Sequence, residues 1–231
     1  MGVSFSHAGV WACRWRCPYC QQGRFPIDAT AHADPAAILR AVSQGLERHG
    51  DAIDVVCVAG GGEPSDHPAF PRLSVDLARM AHQRGKELVL LTNGDGCGDP
   101  SVKASLGRYD RIYAKWDPGV FAGAWRSADA QAVHGRFAVL AAIPGLRIQS
   151  MLFRSRGGPG NCSPVARQAW LAAMAQLRPR EIHLTTVDRS PRLSTVLAVD
   201  ALDLVVWRRV ARRLLDVPVR VFPARAGADG A

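Results

Sequence analysis

Short apolar runs rich in Val, Ile and Leu alternate along the chain with longer stretches whose apolar positions recur at helical spacing. Val55–Ala59 is a buried-type run that ends in glycines, and Pro68–Arg84 after it has the helical period. Glu87–Thr92 is a second run, halted by Asn-Gly, and Arg111–Trp116 a third, stopped by Asp117-Pro118-Gly119. Arg147–Phe153 and Glu181–Val187 repeat the pattern, and Val219–Phe222 reads as a last, edge strand. Segments 35–49, 129–142, 164–177 and 196–215 are long enough for helices. Asp34-Pro35 and Ser163-Pro164 each place a capping side chain before a proline at the first helical position. Strand–helix alternation at this spacing predicts an α/β fold with a parallel sheet. About six units are too few for a complete eight-unit barrel, so a curved, open parallel β/α barrel fits the count. Residues 1–223 are expected to form one such domain, and 224–231 a disordered tail.

Composition narrows the setting. The chain has 231 residues and contains no run of about 20 apolar residues, so no membrane span is expected. Neither a basic segment nor an apolar one marks the N-terminus as a signal peptide. Of six cysteines three lie in one tight cluster, which suits metal chemistry in a reducing compartment, the cytoplasm, better than a disulfide framework. The net charge of +9 is uneven: residues 1–140 carry 15 Lys/Arg against 14 Asp/Glu, residues 141–231 carry 14 Arg against 6 acids. A basic second half favours an anionic partner, RNA among them. Arg208, Arg209, Arg212 and Arg213 would form one stripe on the helix at 196–215.

The candidate chemistry sits at strand ends, where α/β sheets place their sites. Residues 13–20 read Cys-Arg-Trp-Arg-Cys-Pro-Tyr-Cys, a C-x3-C-x2-C array in which Arg14 and Arg16 would favour thiolates. A zinc site with a fourth ligand such as His7 or Cys57 satisfies that spacing. So does an iron–sulfur cluster that keeps one iron open for a reactant. Gly60-Gly61-Gly62-Glu63-Pro64 follows the first strand run, and Leu91-Thr92-Asn93-Gly94 ends the second. In Tyr113-Ala114-Lys115-Trp116-Asp117, strand alternation puts Lys115 and Asp117 on one face and Trp116 on the other. A lysine in an apolar strand calls for an anionic partner: Asp117 itself, or a carboxylate of a ligand. Thr186 and Asp188 share a face at the end of the 181–187 strand, and with Gln149-Ser150-Met151 could line a substrate end. Cys57 reads as a small buried apolar residue. Cys97 and Cys162 lie in loops, where a hydrogen-donor or extra cluster-ligand role is open.

The cysteine array, the GGGEP turn and the TNG turn, in that order, closely resemble the radical S-adenosylmethionine (SAM) superfamily. The resemblance implies a 4Fe–4S cluster on Cys13, Cys17 and Cys20, with SAM chelated by the open iron. It implies SAM contacts from Tyr19, whose backbone would lie near the adenine, from Gly61, Gly62 and Glu63 to the amino group, and from Thr92 or Asn93 to the ribose. Reductive cleavage of SAM would yield a 5′-deoxyadenosyl radical. Substrate would then lie near Lys115, Met151 and Asp188. An external one-electron donor, a flavodoxin or ferredoxin, is implied as well.

Over roughly residues 10–192 the order of motifs is similar to the branch related to the wyosine-forming tRNA synthases. The similarity runs through Cys17-Pro18-Tyr19-Cys20-Gln21-Gln22-Gly23, Lys115-Trp116-Asp117, Asn161 and Thr186-Val187-Asp188-Arg189-Ser190-Pro191. Two departures fall where substrate would be read or a second cluster held. No cysteine precedes Cys13, and the branch's Asn-Thr is here Thr185-Thr186. The leading expectation is therefore a small-molecule or peptide biosynthetic substrate, with tRNA modification as the alternative and a non-catalytic metal- or cluster-binding regulatory protein as the reading from another class. Whether the reaction is that of an oxidoreductase, a lyase or a transferase is open.

Overall fold

A computed structural model describes residues 1–119, 130–158 and 160–225. Among the described residues the fold is α/β, an eight-stranded, predominantly parallel sheet with helices between its strands, and the two end strands of its path do not pair to close it. The described residues fall into two compact units. Unit 1 comprises Met1–Arg14, Phe25–Ala114 and Ala138–Leu146, and unit 2 the residues within Trp15–Arg24, Lys115–Phe137 and Arg147–Ala231.

Unit 1 begins with β1 (Gly2–Val3), followed by α1 (Pro35–His49), β2 (Val55–Val58), α2 (Phe70–His82), β3 (Glu87–Thr92), α3 (Pro100–Ser105) and all but the last residue of β4 (Arg111–Lys115). β1, β2, β3 and β4 pair in that order, all parallel. The expected cap forms at α1, where Asp34 accepts from Ala37 N at 3.0 Å, and Ile38, Val42 and Leu46 form the buried stripe. On α2 the stripe is Phe70, Leu73, Leu77 and Ala81, and Val56 and Val58 of β2 with Leu88 and Leu90 of β3 are, like it, essentially without exposure. Each such side chain contributes about 1.5–3 kcal/mol on burial.

Unit 2 contains most of α4 (Ala130–Ala141), then β5 (Arg147–Ser155), α5 (Pro164–Leu177), β6 (Ile182–Thr186), β7 (Val196–Ala198), α6 (Ala201–Leu214) and β8 (Val219–Phe222). β5, β6 and β8 pair in parallel, and β7 runs antiparallel along the end of β5. Along β5, Ile148, Ser150 and Leu152 point into the core while Gln149, Met151 and Phe153 are half-buried. The buried Ser150 hydroxyl donates to Trp116 O (2.6 Å) and accepts from Trp170 Nε1 (2.9 Å). Trp170 in turn meets Trp207 of α6 edge-on, with 5.5 Å between ring centroids. Ser163 caps α5 through Ala166 N at 3.1 Å.

The expected helix at 196–215 needs correction at its start. Val196–Ala198 pairs with Phe153–Ser155, Val199 N donates to Thr186 Oγ1 (2.8 Å), and the helix begins only after Asp200. β-branched residues beside an open strand end find ladder partners there and leave the helix. Residues 226–231 of the expected tail lie outside the described residues. Among the described residues no helix is long and apolar enough to cross a membrane.

Candidate functional site

In unit 1 three sequence motifs meet. The strand-like segment before Cys13 pairs with the glycine turn: Ala12 N donates to Gly61 O (3.2 Å) and Glu63 N to Ala12 O (3.0 Å). Only glycine fits at position 62, because a Cβ there would collide with the Ala12 carbonyl oxygen. Glu63 then turns inward and is 6% exposed. Its Oε1 accepts from Ser65 N (3.1 Å), Ser65 Oγ (2.7 Å) and Thr92 Oγ1 (2.5 Å), and its Oε2 accepts from Asn93 N (2.6 Å). Burial pushes the carboxyl above its usual range, outweighing the opposing bonds from Thr92, Asn93 and Ser65. Asn93 closes the circuit. Its Oδ1 accepts from Asp95 N (2.8 Å), which leaves Nδ2 to donate to Cys13 Sγ at 3.8 Å.

Glu63 is thus bonded within the protein on both oxygens, where the motif alone suggests a carboxylate aimed at a ligand's ammonium. Thr92 is likewise buried, its hydroxyl donating to Glu63 and accepting from Gly94 N (2.9 Å). Arg14, placed by its position to favour thiolates, makes a two-bond ion pair with Asp66 at 2.7 and 3.2 Å.

In unit 2 the other two cysteines sit on consecutive turns: Cys20 N donates to Cys17 O and Gly23 N to Cys20 O, both at 3.1 Å. Tyr19, between them, donates its hydroxyl to Asp117 Oδ2 and tilts its ring against Phe153 at 5.8 Å. Asp117 is 1% exposed. Its Oδ1 accepts from Met151 N (2.7 Å) and pairs with Lys115 Nζ (3.6 Å), which also reaches Gln149 Oε1 (3.5 Å) and lies 5.1 Å from the Tyr19 ring centroid. Burial first, then the Asp117 charge, pushes the Tyr19 phenol well above its ordinary value. Burial also raises the Cys20 thiol, opposed by backbone N–H groups of Gln22 and Gly23 and by the charges of Lys115 and Arg192. Those two cations lie far from the cysteines in sequence, so spacing alone could not find them.

The structure therefore brings Lys115, Met151 and Tyr19 together around Asp117, which the sequence offered as one candidate partner of Lys115. Thr185 Oγ1 lies 3.7 Å from Met151 Sδ. Asn161 extends β5 as a surrogate strand partner: its Oδ1 accepts from Phe153 N (2.9 Å) and its Nδ2 donates to Met151 O (2.7 Å). Asp188 forms a different contact, accepting from Arg225 N (2.6 Å) with the Arg225 guanidinium at 3.7 Å. Cys97 is buried in unit 1, and Cys162 donates to Phe153 O at 3.5 Å.

The donor set suits an iron–sulfur cluster. Cys13, Cys17 and Cys20 are reduced cysteines, each half-buried, carried on one eight-residue stretch, and thiolate is the ligand such clusters use. Among the described residues no three His, Cys, Asp or Glu side chains gather as a single metal ion requires.

Residues 12–102 match the sequence model of the Radical SAM superfamily, a span that holds all three cysteines, the GGGEP turn and the TNG turn. No curated protein matches the sequence. Among solved structures the fold is similar to Streptococcus suis SuiB. SuiB bound to precursor peptide SuiA superposes with a TM-score of 0.65 at 11% identity, over 96% of this chain and 48% of that one. SuiB bound to S-adenosylmethionine gives a TM-score of 0.62 at 10% identity, over 96% and 50%. The chain spans about half the length of these SuiB structures. The family match covers residues 12–102 and the likeness to SuiB is one of fold; neither supports the wyosine-forming branch.

Proposed function

We propose that this chain is a cytoplasmic radical SAM enzyme acting on a peptide or small-molecule biosynthetic substrate, with Cys13, Cys17 and Cys20 as ligands of a 4Fe–4S cluster. When bound, the cluster supplies the electron that cleaves SAM and so provides a 5′-deoxyadenosyl radical able to abstract substrate hydrogen. One observation carries the reading: in unit 1 the segment at Cys13, the glycine turn and the Thr92–Asn93 turn are joined through Glu63 and Asn93. A plain metal-binding loop has no use for that circuit.

Within this reading Glu63 is a positioning residue. It fixes Asn93, and the turns at Gly61–Gly62 and Thr92–Asn93 present backbone to SAM. Tyr19 and Asp117 hold Lys115 in place, so that its ammonium can meet an anionic group of the substrate beside Met151. Asp188 would belong to the same substrate end. An external flavodoxin or ferredoxin would deliver the electron. A peptide substrate is favoured by the fold shared with SuiB, which was solved with its precursor peptide.

A second reading, tRNA modification, draws support from α6, where Arg209, Arg212 and Arg213 are exposed and Arg208 half-buried. Phosphate contacts would make tRNA affinity fall steeply with salt, so a binding series over salt concentration separates the two substrates.

The test of the chemistry is anaerobic. The cluster is reconstituted and reduced, SAM is added, and 5′-deoxyadenosine is sought by mass spectrometry beside a Cys17→Ala control. Product that disappears in the control is the expected result. Zinc in place of iron in the wild-type protein would overturn the reading.

A further inference from the structure

The segment that follows β6 lies across residues 16–23 of the cysteine loop, and both stretches belong to unit 2. Arg192 donates from Nη2 to the carbonyl of Arg16 (2.9 Å) and from Nε to the carbonyl of Cys17 (3.3 Å). Leu193 N donates to Pro18 O at 3.0 Å. Three residues before Arg192, Arg189 Nη1 donates to Gln21 Oε1 at 2.8 Å. The aliphatic stem of Arg192 passes over Gly23, where a Cβ would overlap Arg192 Cβ and Cγ. Arg189, Arg192 and Leu193 thus touch the loop at positions 16, 17, 18, 21 and 23.

The carbonyls of Arg16 and Cys17 are adjacent and point from an irregular loop that no sheet ladder serves. A guanidinium offers several N–H donors in one rigid plane and can hold two neighbouring carbonyls at once, whereas an ammonium is a single point charge. Fixing the peptide on either side of Cys17 fixes the direction in which that side chain leaves the loop. Losing a group that orients a ligand from behind in this way typically costs about 10–100-fold in metal affinity.

We propose that Arg192 is the positioning residue of the metal loop: its fork holds the backbone at Cys17, and its positive charge raises the reduction potential of the cluster carried there. This rests on the cluster reading above. The charge acts because reduction adds an electron, and a nearby cation stabilises the more negative form. The strap also links the strand end after β6, where substrate residues are proposed, to the loop that holds the metal.

Wild type, Arg192→Lys, Arg192→Met and Gly23→Ala would each be reconstituted anaerobically. Iron and sulfide content, the rate of bleaching by a chelator, and the midpoint potential from an EPR-monitored titration would be measured. The expected result for Arg192→Met is bleaching roughly tenfold faster than wild type and a more negative potential. Arg192→Lys keeps the charge, so its potential stays near wild type while its bleaching is still accelerated. Gly23→Ala displaces the stem from the other side and bleaches like Arg192→Met. Far-UV circular dichroism checks that each variant is folded, and any one of the three suffices if the others fail. Iron-loaded variants with wild-type bleaching and potential would overturn this inference alone. A wild-type protein that takes up no iron would overturn the cluster reading and this inference with it.

Discussion

Replacing Glu63 by glutamine tests whether the carboxylate holds the unit 1 site together. The three donors on Oε1 (Ser65 N, Ser65 Oγ and Thr92 Oγ1) can still meet the amide oxygen of a glutamine. The amide nitrogen must then face Asn93 N, a donor against a donor at a position where the carboxylate accepts at 2.6 Å. A buried amide that loses its acceptor costs about 1–3 kcal/mol. Opposing this, glutamine escapes the burial penalty that raises the Glu63 pKa. Because that pKa is raised in the folded protein, the stability Glu63 contributes is complete below its unfolded value and is lost as pH rises through the folded one. The deficit of Glu63→Gln relative to wild type should therefore be largest in mild acid and shrink toward neutral pH. At its largest, about 2 kcal/mol corresponds to a fall in Tm of roughly 4–8 °C for a chain of this size. Thermal unfolding followed by far-UV circular dichroism at several pH values reads both quantities, and hydrogen exchange at the Asn93 amide reads the lost bond directly. A variant as stable as wild type in acid, or a deficit that grows with pH, would refute the argument.

Other outcomes follow from single contacts. Asp117→Asn removes the counter-charge of Lys115 and should cost unit 2 roughly 2–3 kcal/mol, the usual 3–5 for a broken buried pair reduced because Lys115 is 18% exposed; an unchanged urea midpoint would contradict this. Ser150→Ala leaves the Trp170 indole N–H without its acceptor, and a loss of about 1–3 kcal/mol is expected in the same assay. Burial pushes the Cys162 thiol up to about 11, so native protein at mildly alkaline pH should alkylate there slowly, with the rate rising toward that value or on unfolding. Peptide mapping after iodoacetamide treatment would show it, and rapid labelling of Cys162 in folded protein would count against the raised thiol.

Much of the framework was legible because its signals are local. Asp34-Pro35 and Ser163-Pro164 cap the helices they announce, and the Glu87–Thr92 run is β3 residue for residue. Asp99-Pro100 carries the same capping signature and heads α3, which the helical period was too short to reveal. β1 has two residues and is defined only by its partner Cys57–Val58, so nothing in its own sequence marks it. In the site, motif order identified the residues at 13, 60–64 and 92–94 but not the direction of Glu63, which depends on which amides fold back upon it. Asp117 and Tyr19 are 98 residues apart, and Arg192 and Cys17 175 apart. Such pairs have no periodicity or spacing to betray them. They exist only once the chain has closed.

The contact between Trp170 and Trp207 has an optical consequence. Among the described residues, Trp15, Trp116, Trp170 and Trp207 all belong to unit 2, and Trp11 alone to unit 1. Intrinsic emission of the intact chain is thus dominated by unit 2, where neighbouring indoles can also exchange excitation. A fluorescence melt would hear that unit clearly and the other faintly. A variant that keeps Trp11 and replaces the remaining indoles with phenylalanine would give unit 1, and with it the turns at Glu63 and Asn93, a signal of its own.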